Sequence, residues 1–244
     1  QTQISAAKKQ KSYAANKFGK LTRARLILGE NAWYFSPGIW SLANVKRTRI
    51  GILGGTFNPV HCGHLRVGIE ISERTGLDKI MLMPNYLPPH RDAPKVSAQD
   101  RLMMCCLAAK SNPLFTVSDI EIKQKKLSYT LYTCQQLVEQ HPEASFSFIT
   151  GSDSLVKSVW YRFDDVLDLL EHFYVIHRPG VDLEELKNKL REMNLRNAYK
   201  IIWFEAPGLD ISSTYIRKIL SEGRSAQYLV PDSVLEYIRV RSLF

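Results

Sequence analysis

The amino-acid sequence predicts a doubly wound α/β domain, a parallel sheet covered by helices, with a C-terminal helical portion and a basic N-terminal extension. Three observations predict it. From Arg49 onward, short β-rich runs alternate with helical stretches. The first run passes through Gly54-Gly55 and an Asn58-Pro59 turn into a helix. The positive charge is confined to the start of the chain. At 244 residues the chain holds one large domain and a short appendage, not two full domains.

In chain order, strands are expected where β-branched, aromatic and other apolar residues cluster: RIGIL (49–53), KIMLMP (79–84), FTVSDIEI (115–122), SFSFIT (145–150), HFYVIH (172–177) and KIIWFE (200–205). Helices are expected between them, near 62–75, 98–110, 130–140, 163–170 and 183–193. Two more close the chain near 213–222 and 232–240. After the second strand comes the Pro-rich loop PNYLPPHRDAPK (84–95), at the end of the sheet where such folds bind ligands.

The formal net charge of +9 belongs to the extension. Ten of the 33 Lys/Arg and one of the 24 acidic residues fall within residues 1–49, leaving 23 of each sign in the remainder. The domain boundary is set at 46/47, with a nearly neutral domain over 47–244. Residues 1–46 resemble an organellar targeting peptide in composition, and we read them as an extension without catalytic role. A nearly neutral domain argues against nucleic acid as its partner; an RNA-binding role for the basic extension is the competing reading outside enzymology. No run of 18 apolar residues is present, so no membrane span is expected. Cys62, Cys105, Cys106 and Cys134 form no C-x-x-C pair, which reads as reduced thiols and a cytoplasmic setting.

The most informative stretch is RIGILGGTFNPVHCGHLR, residues 49–66. A strand runs into two glycines, and a helix start follows, offering free N–H groups and a positive dipole end to an anion. No G-K-[ST] follows and no G-x-G-x-x-G is present, so this is neither of the common nucleotide loops. Instead it carries His61 and His64, whose spacing lets both imidazoles point the same way, with Gly63 leaving room for a nucleotide. A metal reading needs a third and fourth ligand, and the sequence supplies no further His or Cys cluster. Farther on, DISSTYIRKIL (210–220) places Ser212, Ser213 and Thr214 at a helix start with Arg217 one turn in. Alone these residues would read as caps; paired with the first loop they read as a second phosphate grip.

GGTFNPVHCGHLR resembles the signature of the H-x-G-H nucleotidyltransferases, whose Rossmann-like fold fits the predicted alternation, and ISSTYIR resembles the second phosphate motif of that superfamily. Pro88-Pro89-His90-Arg91, Ser128-Tyr129-Thr130, Gly151-Ser152-Asp153-Ser154-Leu155 with Trp160, and Arg178-Pro179-Gly180 are similar to motifs of its nicotinate mononucleotide adenylyltransferase branch. The resemblance covers residues 49–243. It implies transfer of AMP from ATP to nicotinate mononucleotide, with His61, His64 and Arg217 catalytic. It also implies ATP contacts from Gly54, Gly55, Thr56, Phe57, Ser212, Ser213 and Thr214. On the acceptor side it implies Asn58, His90, Arg91, Thr130, Asp153, Trp160, Tyr161 and Arg178, with Thr130 and its neighbours on the nicotinate carboxylate and Trp160 stacked on the pyridine ring.

Mg²⁺ is expected to arrive with ATP, held by phosphates and water and not by a dedicated protein site. Asn58 stands where the branch more often has Asp, and Arg91 where it more often has Lys. The Asn also occurs in nicotinamide-accepting relatives, which keeps nicotinamide mononucleotide as the alternative acceptor. A pantetheine-phosphate type of transferase is the other alternative, and it leaves the Ser128–Thr130, Gly151–Leu155 and Trp160 features without a purpose. The sequence leaves a homo-oligomer open.

Overall fold

The computed structural model describes residues 47–88, 93–157, 160–177, 181–205 and 210–244. Six strands form one sheet: β1 (Thr48–Gly55), β2 (Lys79–Pro84), β3 (Phe115–Val117), β4 (Ala144–Gly151), β5 (Phe173–His177) and β6 (Ile201–Glu205). Their order is β3-β2-β1-β4-β5-β6 and every pairing is parallel. The doubly wound α/β architecture expected from the alternation is therefore what the chain adopts. The order reverses between β1 and β4, and in such sheets the crevice at that reversal is the ligand site.

Helices α1 (Cys62–Thr75), α2 (Ala98–Ala109), α3 (Ile120–Gln124), α4 (Thr130–Gln140), α5 (Ser152–Lys157), α6 (Phe163–Leu169), α7 (Leu183–Glu192), α8 (Ser213–Ser221) and α9 (Asp232–Arg241) cover the sheet. Local chemistry fixes several of their starts. Ser97 caps α2 by accepting from the Asp100 N–H at 3.1 Å, and Asp182 caps α7 by accepting from Glu184 and Glu185. Strand alternation then divides the core. Leu53 faces a cluster with Ile71, Ile80, Met104, Ile216 and Ile238, whereas Ile52 faces another with Leu131, Leu137, Phe148, Val166 and Phe173. The first cluster seats α1, α2, α8 and α9, and the second seats α4, α6 and α7.

The predicted strand 115–122 is corrected by the structure. Pairing stops at Val117, and Ile120–Gln124 is a short helix. The short alternations F-T-V and I-E-I imitate one strand, but Ser118 turns the chain between them. Its amide donates to the Leu82 carbonyl at 3.0 Å while its hydroxyl accepts from the Ile120 amide at 3.3 Å. Two further differences bear on the site. β1 continues through Gly55, so the loop begins at Thr56, and α5 follows β4 without a break. No helix among the described residues is long and apolar enough to cross a membrane. All four cysteines are free.

Candidate active site

The carboxyl ends of β1 and β4 open onto a cleft of about 1190 Å³. Its first wall is the β1–α1 loop. Gly54 can have no side chain, because a Cβ there would lie 2.9 Å from the Phe148 ring of β4. Phe57 sits at φ 48°, costly for a bulky residue, and is held there by burial and by an edge contact with the His64 ring at 5.0 Å. His61 is the N-cap residue of α1 and is 2 % exposed; its ring stacks on that of His64 at 3.6 Å. A Cβ on Gly63 would approach His61 Nδ1 to 3.0 Å. A side chain at position 63 would thus crowd the His61 ring.

A hydrogen bond from the preceding turn orients His64. The His61 amide donates to His64 Nδ1 at 3.3 Å, so the neutral ring carries its proton on Nε2. Helix α8 completes this wall from the far end of the chain. The Ser213 hydroxyl donates to the Pro59 carbonyl at 2.8 Å, and Arg217 Nη1 donates to the Asn58 carbonyl at 2.8 Å. Arg217 Nη2 reaches Thr214 Oγ1 at 3.3 Å, which leaves three guanidinium N–H groups for other acceptors. Ser212 caps α8 by accepting from the Tyr215 amide at 3.1 Å. All three hydroxyls read from sequence as phosphate contacts therefore also build the wall, while the Ser213 and Thr214 N–H groups of the helix start remain for an anion.

The opposite wall comes from α4, α5 and the segment at Trp160. Thr130 is the first residue of α4, and the N-cap residue Tyr129 provides no side-chain cap. Tyr161 is 46 % exposed and lies 5.6 Å from Tyr129 and 6.2 Å from Tyr132, ring to ring. Trp160 lines the cleft but is also packed among Phe148, Phe163 and Phe173 at 5.1–5.6 Å. Its indole N–H is buried without a hydrogen bond among the described residues. Asp153 lines the cleft from the first turn of α5.

Gly54, Gly55, Thr56, Phe57, Asn58, His61, His64, Thr130, Asp153, Trp160, Tyr161, Ser212, Ser213, Thr214 and Arg217 all line this one cleft. His90, Arg91 and Arg178 lie outside the described residues. Lys95 and Lys218 add two ammonium groups to the lining that sequence reasoning did not single out. Sequence reasoning also missed two buried charges. Arg101 on α2 is 1 % exposed, and burial pulls its pKa down. Glu121 on α3 is 5 % exposed, and burial pushes its carboxyl up, opposed by hydrogen bonds from Thr133 and Ser128. Arg101 carried a legible signal. It stands on the stripe Ala98, Arg101, Met104, Cys105, Ala108, all buried, where the helical period demands an apolar residue.

The model of the cytidylyltransferase-like family matches residues 52–219, a span that contains both phosphate motifs. The chain belongs to that family. Within it the chain groups with the nicotinate-nucleotide adenylyltransferases and is a nucleotidyltransferase. A protein of Enterococcus faecalis named "Probable nicotinate-nucleotide adenylyltransferase" is 40% identical over 200 residues, covering 81% of this chain and 85% of the relative. A Corynebacterium glutamicum protein of the same name is 40% identical over 200 residues, covering 82% and 89%. Among solved structures, Plasmodium falciparum nicotinic acid mononucleotide adenylyltransferase complexed with NaAD superimposes with a TM-score of 0.65. It covers 80% of this chain and 97% of its own at 20% identity, a likeness that concerns the fold.

Proposed function

We propose that this chain transfers AMP from ATP to nicotinate mononucleotide, releasing pyrophosphate and forming deamido-NAD in NAD biosynthesis. One observation carries the reading. Two helix starts of phosphate-binding type share one wall of the cleft, and an uncapped helix start beside tyrosine and tryptophan rings faces them. The names of the relatives agree with it.

In the reaction, an oxygen of the acceptor's 5′-phosphate attacks the α-phosphorus of ATP in line. A new P–O bond forms as the bond from the α-phosphorus to the bridging oxygen breaks, and that oxygen departs with pyrophosphate. Transfer of this kind requires positioning and charge stabilisation and no protein nucleophile. His64 offers its Nε2–H to the developing charge, and Arg217 its remaining N–H groups. The free N–H groups at the start of α8, with Lys218 and Lys95, receive the β- and γ-phosphates. On the other wall the N–H groups at Thr130 receive the nicotinate carboxylate, Trp160 and Tyr161 border the pyridine ring, and Asp153 faces the sugar. Asn58, His90, Arg91 and Arg178 belong to the acceptor side on the sequence resemblance.

Among the described residues no three His, Cys, Asp or Glu side chains converge as metal ligands. We take Mg²⁺ to arrive with ATP, held by phosphate oxygens and water, where it would neutralise triphosphate charge. We further propose that residues 47–244 contain the whole activity and that the protein works in the cytoplasm, in keeping with its four free thiols. The test is pyrophosphate release from ATP across nicotinate mononucleotide, nicotinamide mononucleotide and phosphopantetheine. Release with phosphopantetheine alone would overturn the assignment.

A further inference from the structure

Two buried charges lie beneath the opposite walls of the cleft, and among the described residues neither forms an ion pair. Arg101 donates to the Thr56 carbonyl at 2.7 Å, to the Tyr86 carbonyl at 3.0 Å and to Asn85 Oδ1 at 3.4 Å. Those contacts are on the ATP side, where Asn85 is braced a second time. Its amide donates to the Gly55 carbonyl at 3.0 Å and its Nδ2 to Thr56 Oγ1 at 3.2 Å. Glu121 lies on the acceptor side, accepting from Thr133 Oγ1 at 2.8 Å. Thr133 lies in the first turn of α4, the helix that Thr130 opens.

Tyr86 and Ser128 join the two halves. The Tyr86 amide donates to Ser128 Oγ at 3.1 Å, and the Ser128 amide donates to the Leu87 carbonyl at 3.0 Å.

We propose that Arg101 is a positioning residue that locks the ATP-side loop and the segment opening the acceptor-side helix α4 into one register, acting through Tyr86 and Ser128. The inference rests on the adenylyl-transfer reading for the naming of the two walls. Its test reads the coupling separately from the chemistry. The affinity of the free protein for a non-hydrolysable ATP analogue is measured by calorimetry for wild type, Ser128→Ala, Arg101→Lys and the double variant, and KM for the acceptor is measured alongside.

Loss of a buried hydrogen bond on the relay is expected to weaken binding about fivefold to tenfold. Ser128→Ala should therefore weaken the ATP analogue although Ser128 belongs to the acceptor side, and should raise the acceptor KM as well. The double variant should be no weaker than Arg101→Lys alone, because either change opens the same line. Unchanged ATP-analogue affinity in Ser128→Ala, or a double variant equal to the product of the singles, overturns the proposal. An acceptor panel that fails while the cycle shows this coupling would instead count against the assigned acceptor.

Discussion

The bond from the His61 amide to His64 Nδ1 decides what His64 offers a phosphate. A ring that accepts at Nδ1 donates from Nε2 and cannot rotate away without losing that bond. His64→Ala is expected to lower kcat about 10²- to 10³-fold while the melting temperature stays near wild type. Near-normal turnover in that variant would remove His64 from the mechanism. His61→Ala should lose activity too, and in addition about 1–3 kcal/mol of stability, because its ring is buried against Gly63 and His64. A chemical denaturation curve separates the two effects. The paired histidines were legible in the sequence because their place on a Gly-rich strand-to-helix turn is itself a signal. The role of Gly63 was not, since only packing reveals which ring a side chain there would crowd. Glu121 was hidden by the reading of its segment as a strand.

Among the elements, α4 matters most for choice of acceptor. Its first N–H groups have no side-chain cap and lie at the cleft, so they present donors alone. A carboxylate satisfies such donors with both oxygens, whereas an amide turns its own NH₂ toward one of them. That mismatch costs roughly 1–3 kcal/mol, so nicotinate mononucleotide should exceed nicotinamide mononucleotide by about one to two orders of magnitude in kcat/KM. Equal values under the same ATP and Mg²⁺ would count against the donor-only picture.

Helices α2 and α9 are clasped by Asp100, which accepts from Ser97 Oγ at 2.5 Å and Tyr237 OH at 2.8 Å and pairs with Arg241 at 3.4 Å. The Ser97 bond foremost, then Tyr237 and Arg241, hold its carboxyl below the usual range. A carboxyl depressed in the folded state stabilises fully above its unfolded value near 4 and loses that contribution as pH falls through the lower folded value. Asp100→Asn should therefore cost about 1 kcal/mol at neutral pH and flatten the fall in melting temperature below about pH 4. An unchanged acid limb would show that the clasp adds nothing. The seven longer helices were readable from apolar spacing; α3 and α5 were not. α3 is too short to display a helical period, and α5 follows β4 without a turn.

For the whole molecule, the strand order sets β1 beside β4, and the cleft lies at that reversal. The alternation of runs disclosed the architecture, but the order of strands is a matter of crossover direction that local composition does not encode. Since every described residue of the proposed site lies at or beyond Gly54, a chain starting at Arg47 should fold and turn over at the full-length rate. A soluble but inactive product would show that residues 1–46 complete the site. The same architecture bears on how the chain is made. Ser213 and Arg217 hold the Pro59 and Asn58 carbonyls across 154 and 159 residues. On a ribosome adding roughly 5–20 residues per second, the histidine loop waits on the order of ten to thirty seconds for the helix that fixes it. Strands β1, β2 and β4 can pair during that interval, but the wall that grips the triphosphate cannot close. A nascent chain would therefore pair β1, β2 and β4 well before it holds its nucleotide, and ATP binding would mark the arrival of α8.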